Sequence, residues 1–99
     1  MIIHIVLMNL NDGADETVIT RIRNYVDAIA TQLDSVRAYS LVRNTAPNAN
    51  GFDWAILSAF DNEADMVAYR VDPLHQEFVE FTDPYTEDFM ALDYESGSP

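Results

Sequence analysis

Besides its carboxylates, this 99-residue chain has two histidines and five tyrosines as side chains that could carry acid–base chemistry. The chain contains no cysteine and no lysine, and no serine lies in a nucleophile motif such as GxSxG. The sequence therefore predicts neither hydrolase nor Schiff-base chemistry, and neither disulfides nor thiolate metal sites. Its three glycines lie far apart, and no carboxylate lies four residues from a histidine, the spacing at which a helix places two metal ligands on one face. We expect no cofactor and no metal.

His75 and Tyr69 are the best candidates for a reacting pair. His75 precedes Phe78 and Val79 by three and four residues on the apolar side of a predicted helix, so its ring should point at the sheet. Burial disfavours the charged imidazole and lowers its pKa, which suits a neutral base. Tyr69 ends the preceding helix, six residues before His75. An imidazole and a phenol in an apolar pocket can remove a proton next to a carbonyl and stabilise the enolate oxygen.

His4 and Tyr25 each allow two interpretations. His4 shares one side of the first predicted strand with Ile2, Val6 and Met8, so it is either a satisfied core histidine or a polar group in a pocket. Tyr25 lies on the inward stripe of the first predicted helix and is either a core aromatic or a second pocket phenol.

The elements that must position these residues follow from hydropathy and capping patterns. Helices are predicted at 16–33, at 63–70 and from Pro73 onward, and strands at 2–10, 36–43, 52–60 and 88–95. The order β-α-β-β-α-β, with the second helix broken in two, predicts a ferredoxin-like α+β fold with a four-stranded antiparallel sheet. We expect residues 1–95 to form a single domain and residues 96–99 a flexible tail.

Apolar residues occupy both sides of the first and third strands. Ile3, Ile5 and Leu7 lie on the side of the first strand that faces away from His4. In the third strand, the neighbours Ile56 and Leu57 are on opposite sides. Helices can cover only one side of such a sheet, so the other side needs a second cover. A homodimer that packs sheet against sheet into a shared α+β barrel provides it.

The charge of the chain excludes several classes of partner. It has 17 acidic and 5 basic residues and a formal charge of −12 at pH 7, and its arginines are scattered. No basic surface is therefore predicted for nucleic acid or for anionic membranes. No apolar run approaches the ~20 residues of a membrane span, and the first residues lack the pattern of a secretory signal. We expect a cytoplasmic protein.

Four segments resemble the stress-responsive A/B barrel (Dabb) family over essentially the whole chain: HIVLMNLNDG, GFDWAILSAFDNEADMVAY, DPLHQEF and EDFMALDYE. The resemblance implies a dimeric ferredoxin-like α+β barrel. Among characterised members the chain resembles polyketide cyclases of the olivetolic acid cyclase type. It departs from them at Trp54, where they carry a further histidine, and at Asp72, which replaces the usual histidine before proline.

The resemblance implies cofactor-free proton transfer, of the cyclase, aldol or isomerase type, on a polyketide-like or aromatic carbonyl substrate. In that case His75 acts as base and then acid, and Tyr69 donates to the oxyanion. His4 and Tyr25 then form the polar lining, and Trp54 forms a stacking wall. The expected partners are a second copy of the chain and a small hydrophobic or aromatic ligand.

Two alternatives have different consequences. One is a non-catalytic stress-responsive oligomer or small-molecule binding protein; if its barrel is simply packed, both histidines are structural and no ligand-sized cavity is expected. A barrel like those of antibiotic monooxygenases or haem-handling proteins would consume dioxygen or carry a coloured haem.

Overall fold

The computed structural model describes residues 1–97, which form four strands, three α-helices and one short 3-10 turn. Their bounds are β1 Ile2–Leu10, α1 Glu16–Gln32, β2 Ala38–Arg43, β3 Trp54–Phe60, α2 Glu63–Val71, α3 Pro73–Thr82, the turn Asp83–Tyr85 and β4 Thr86–Glu95. This order confirms the predicted ferredoxin-like α+β fold.

Three strand ends differ from the prediction by two residues. β2 and β3 begin later, because the N–H of Val36 bonds to the Leu33 carbonyl and the N–H of Phe52 bonds to the Ala49 carbonyl, both in turns. β4 begins earlier, at Thr86, directly after the 3-10 turn. The turn therefore connects α3 directly to β4.

Side-chain caps determine where the helices begin. Asp15 accepts a hydrogen bond from the N–H of Val18 at 3.0 Å and starts α1. Asp72 has an extended backbone that ends α2, and its carboxylate accepts from the N–H of Leu74 at 2.9 Å to start α3. Pro73 at the first position of α3 lacks an N–H that would otherwise be unpaired. Asp72 therefore makes an elbow between α2 and α3.

The sheet has the strand order β2-β3-β1-β4, and every neighbouring pair is antiparallel. His4 lies opposite Ser58 on β3 and Asp93 on β4, and Tyr39 of β2 also lies opposite Ser58. Directly opposed residues in antiparallel strands share a face. The register therefore brings His4, Tyr39 and Asp93 to the same side of the sheet.

The helices cover that side, and the core lies between them and the sheet. The inward stripe of α1, which includes Ile22 and Ile29, is fully buried together with Phe60 of β3. The amphipathic pattern of α1 thus forms the core that the sequence predicts.

The other side of the sheet is apolar and open in the single chain. Leu57, Met90, Leu92 and Tyr94 are large apolar residues of this side and are between 36% and 56% exposed. We call this side the open face; it also contains Ile5 and its neighbours in β1.

The described range also bears on three other predictions. The backbone N–H of Ser96 bonds to the Met1 carbonyl at 2.9 Å, whereas residues 98–99 lie outside the described residues, so the flexible tail stays a prediction. Within residues 1–97 no helix has both the length and the apolar character for a membrane crossing. The same residues contain no cluster of side chains that could hold a metal ion.

Candidate functional site

A cavity of about 270 Å³ lies between the helix-covered side of the sheet and helix α3. Its apolar lining includes Val6, Ile56 and Phe78. Its polar lining consists of two histidines, two tyrosines, two threonines and one aspartate, namely His4, His75, Tyr39, Tyr69, Thr82, Thr86 and Asp83. The structure thus brings three of the five predicted site residues, His75, Tyr69 and His4, into one cavity.

His75 is held in the tautomer that a general base requires. Its Nδ1 lies 3.3 Å from the backbone carbonyl of Arg70, which can only accept a hydrogen bond, so Nδ1 carries the proton. The Nε2 atom then has the free lone pair. Burial lowers the pKa of His75, and nearby His4 and Arg70 lower it further, against the opposing effects of the Arg70 carbonyl and Asp72. His75 is therefore a neutral base at pH 7.

Tyr69 places a phenol beside this base. The ring centroids of Tyr69 and His75 are 4.1 Å apart, because the elbow at Asp72 turns the end of α2 toward the start of α3. The Tyr69 hydroxyl lies 2.7 Å from the hydroxyl of Tyr39, and both side chains are buried. The two hydroxyls have two protons, and their mutual hydrogen bond uses only one. The pair can therefore donate its second O–H to a ligand oxygen.

Burial keeps both phenols protonated. It raises the pKa of Tyr69 to about 12, with the Tyr39 hydroxyl and Arg70 acting in the opposite direction. Burial raises the pKa of Tyr39 as well, and the neighbouring Tyr69 adds to the effect. A phenol that stays protonated well above neutral pH is suited to donate a hydrogen bond to a developing oxyanion.

His4 lines the far wall of the cavity and is tied to a charged pair. Its Nδ1 bonds to the Asp93 carboxylate, whose other oxygen lies 3.4 Å from Nη2 of Arg70. A carboxylate accepts, so Nδ1 of His4 carries a proton and Nε2 is the remaining nitrogen. The His4 ring meets Tyr69 edge-on at 6.5 Å between centroids. His4 is thus a pocket residue with a structural anchor, which combines both interpretations of the sequence.

The structure does not bring Tyr25 or Trp54 to this cavity. The Tyr25 ring stacks on Phe78 at 5.4 Å between centroids and lines a shallow groove between α1 and α3. Phe78 itself lines the cavity and therefore separates Tyr25 from it. Trp54 is at the start of β3, two residues before Ile56, and its ring is covered by Arg43 at 5.1 Å and by Arg23. The predicted polar lining and stacking wall are thus not formed by these two side chains.

Sequence reasoning missed Tyr39 and Asp93. Tyr39 and Leu41 lie on the inward side of β2. Only the register of β2 against β3 shows that Tyr39 reaches Tyr69. Asp93 carried a signal that was available, since it is an acidic residue between apolar residues in a strand opposite His4. Such a residue on a covered side requires a polar partner.

Residues 2–96 match the profile of the Stress responsive A/B Barrel Domain family. The chain therefore belongs to the Dabb family, as the sequence resemblance indicates. It is 34% identical over 97 residues to a stress-response A/B barrel domain-containing protein of Arabidopsis thaliana, in a match that covers 92% of this chain and 35% of the plant protein. The chain thus spans about a third of the length of this relative.

Solved structures share the fold at lower identity. A dimeric ferredoxin-like protein of unknown function from Bacteroides fragilis is 24% identical, with a TM-score of 0.81 over 95% of this chain and 94% of its own. The hydroxynitrile lyase of Passiflora edulis is 21% identical, with a TM-score of 0.86 over 99% of this chain and 96% of its own. These similarities establish the fold.

Proposed function

We propose that the chain is a cofactor-free catalyst of proton transfer on a small carbonyl compound, with His75 and Tyr69 as its catalytic residues. The observation that carries this proposal is the position of the His75 ring, whose centroid is 4.1 Å from that of Tyr69 in a largely apolar cavity. A base with a lowered pKa next to a phenol with a raised pKa is the pairing that enolate chemistry requires.

In the first step, Nε2 of His75 removes a proton from the carbon next to the carbonyl. The electron pair of that C–H bond forms the C=C bond of the enolate, and the carbonyl electrons move to the oxygen. The O–H that the Tyr39–Tyr69 pair has free donates to this oxyanion. Donors that are already oriented toward the position of the developing charge stabilise it without the reorganisation that solvent requires.

In the second step, the enolate either takes a proton from the His75 imidazolium at a different atom or attacks a second carbonyl carbon through its α-carbon. Attack forms a C–C bond, and the imidazolium of His75 returns its proton to the new alkoxide. This gives aldol or cyclase chemistry, whereas reprotonation at a different atom gives isomerisation. In both cases His75 acts as base and then acid, and the protein ends in its initial protonation state.

The fold of the Passiflora edulis hydroxynitrile lyase supports this proposal. A protein named for lyase chemistry has the same fold over nearly the full length of both chains. In the alternative, the cavity of a stress-responsive protein binds a ligand without turnover; the family description itself names no reaction. The catalyst and the binding protein differ in whether His75 exchanges a proton with the ligand.

Deuterium incorporation tests the proposal directly. Phenylacetone has benzylic protons next to a carbonyl, and in D2O a protein that forms its enolate replaces them with deuterium, as followed by proton NMR. We expect the wild type to accelerate exchange over buffer and His75→Gln to lose about 10²–10⁴-fold. Tyr69→Phe removes an oxyanion donor and should lose about 10²–10³-fold.

Tyr85→Phe is the matched control, because Tyr85 is outside the cavity lining and its ring contacts Phe81. It should exchange at the wild-type rate. Ligand binding without exchange in the wild type would instead favour the binding protein. Uptake of dioxygen with an aromatic substrate would favour the monooxygenase-like alternative.

The open face leads us to propose a homodimer as the working form. Its apolar residues, including Leu57 and Leu92, are exposed in the single chain, and a second copy of the same face would bury them. Proteins with this fold, such as the one from Bacteroides fragilis, are described as dimeric. The cavity lies on the opposite side of the sheet and stays accessible in such a dimer. The cytoplasmic location stays a prediction of the sequence.

A further inference from the structure

The positions of the arginines determine which ligands the cavity can hold. Three of the five lie on aromatic rings outside it: Arg21 over Phe81, and Arg23 and Arg43 over Trp54. The chain has no lysine.

The other two arginines are paired with carboxylates. Nε of Arg37 lies 2.8 Å from Asp61, and Nη2 of Arg70 lies 3.4 Å from Asp93. Neither lines the cavity. Within residues 1–97, therefore, no arginine side chain faces a ligand in the cavity.

The two imidazoles of the cavity do not replace the missing cation. His75 donates its Nδ1 proton to a carbonyl and is neutral, as described above. His4 donates its Nδ1 proton to the carboxylate of Asp93, the same anion that pairs with Arg70, so this N–H is not free to bind a ligand. The remaining charged group of the lining is Asp83, an anion in the 3-10 turn. A carboxylate or phosphate in this cavity would be desolvated without a counter-ion, which is strongly unfavourable.

The size of the cavity limits the ligand further. A dry cavity of roughly 150 Å³ is known to hold one benzene molecule. This cavity, at about 270 Å³, has room for one ring with a short substituent. Phe78 and the tyrosines provide aromatic surfaces for such a ring.

From these observations we infer that the site accepts uncharged aldehydes and ketones of single-ring size and rejects the corresponding carboxylates. This substrate class rests on the proposed function. It excludes free acids as substrates and directs the search toward neutral aromatic or similarly sized carbonyl compounds.

Acetophenone and benzoate form a matched pair for the test. They share the ring and the carbonyl carbon, and they differ mainly in a methyl group against a charged oxygen. Binding is followed through the imidazole resonances of His75 at about pH 8, where this ring is neutral. We expect acetophenone to bind at least about tenfold more tightly than benzoate. Equal or tighter binding of benzoate would overturn the inference.

A cation introduced at the cavity should reverse the preference. Val79 lines the cavity and is 48% exposed, so Val79→Arg adds a guanidinium there, whereas Val67 is also 48% exposed but is outside the lining. Val79→Arg should improve benzoate binding about tenfold or more, and Val67→Arg should leave it unchanged. Equal gains in both variants would mean that overall charge, and not the cavity, determines selectivity.

The inference and the proposed function can fail separately. Benzoate binding with retained deuterium exchange of phenylacetone would overturn the substrate class and leave the catalytic proposal intact. Preference for acetophenone without any exchange would support the ligand class and overturn catalysis. If neither ligand changes the His75 resonances, the cavity is not a carbonyl site, and the inference is wrong.

Discussion

The hydrogen bond between Tyr39 and Tyr69 should contribute measurable stability, because it joins two buried hydroxyls at 2.7 Å. An intramolecular hydrogen bond contributes about 0.5–1.5 kcal/mol net, and a buried partner left unpaired costs about 1–3 kcal/mol. Tyr69 lines a cavity that has room for water, so its hydroxyl can be solvated when Tyr39→Phe removes the partner. We therefore expect each single substitution to cost about 1 kcal/mol.

A double-mutant cycle separates this hydrogen bond from the other effects of each substitution. The free energy of unfolding is measured in urea for the wild type, Tyr39→Phe, Tyr69→Phe and the double variant at one protein concentration. We expect a coupling energy of about 1 kcal/mol and, for a domain of this size, a Tm about 4–8 °C lower for each single variant. Tyr85→Phe is the control, since its hydroxyl makes no hydrogen bond within residues 1–97. A coupling below about 0.3 kcal/mol would refute the contact.

Three further predictions follow from the site and the fold. Because the folded pKa of His75 is below its ordinary value of 6.5, the wild type should lose stability relative to His75→Gln as pH falls from about 6.5 through the folded pKa, in parallel thermal melts. Leu92→Glu on the open face should give a monomer by light scattering, whereas Val67→Glu on α2 should not change the assembly; equal masses would contradict the dimer interface. Asp72→Ala should cost about 1 kcal/mol in urea unfolding because it removes the cap of Leu74, and Asp72→Asn should restore most of it.

Local patterns were sufficient to predict the fold. The three- and four-residue spacing of apolar residues in α1 and the capping residues Asp15, Asn62 and Asp72 determine the helices, and each interaction involves residues close in sequence. Apolar residues on both sides of β1 predicted the open face for a related reason, since alternation along a strand determines the side of each side chain.

The site was only partly predictable because it depends on contacts between distant residues. His75 and Tyr69 are neighbours across one helix break, so sequence spacing was informative. Tyr39 meets Tyr69 across 30 residues, and Asp93 meets His4 across 89, and both contacts require the register of the sheet. Tyr25 also lies on the inward stripe of its helix, as predicted.

The position of Phe78 between Tyr25 and the cavity was not visible from periodicity alone. A helical stripe shows which residues turn inward, but it does not show which element each of them meets. The sequence pattern therefore left Tyr25 open as a core aromatic or a pocket phenol, and the structure places its ring against Phe78.

The state of the His75 ring is the most direct test of the account. The chain has two histidines, so a His75→Gln sample assigns both rings in 15N–1H NMR spectra. We predict that at about pH 7 His75 is neutral with its proton on Nδ1, and that acetophenone shifts the Nε2 resonance. A proton on Nε2, or a ring that titrates above its ordinary value and does not respond to the ketone, would contradict the assignment of His75 as the base.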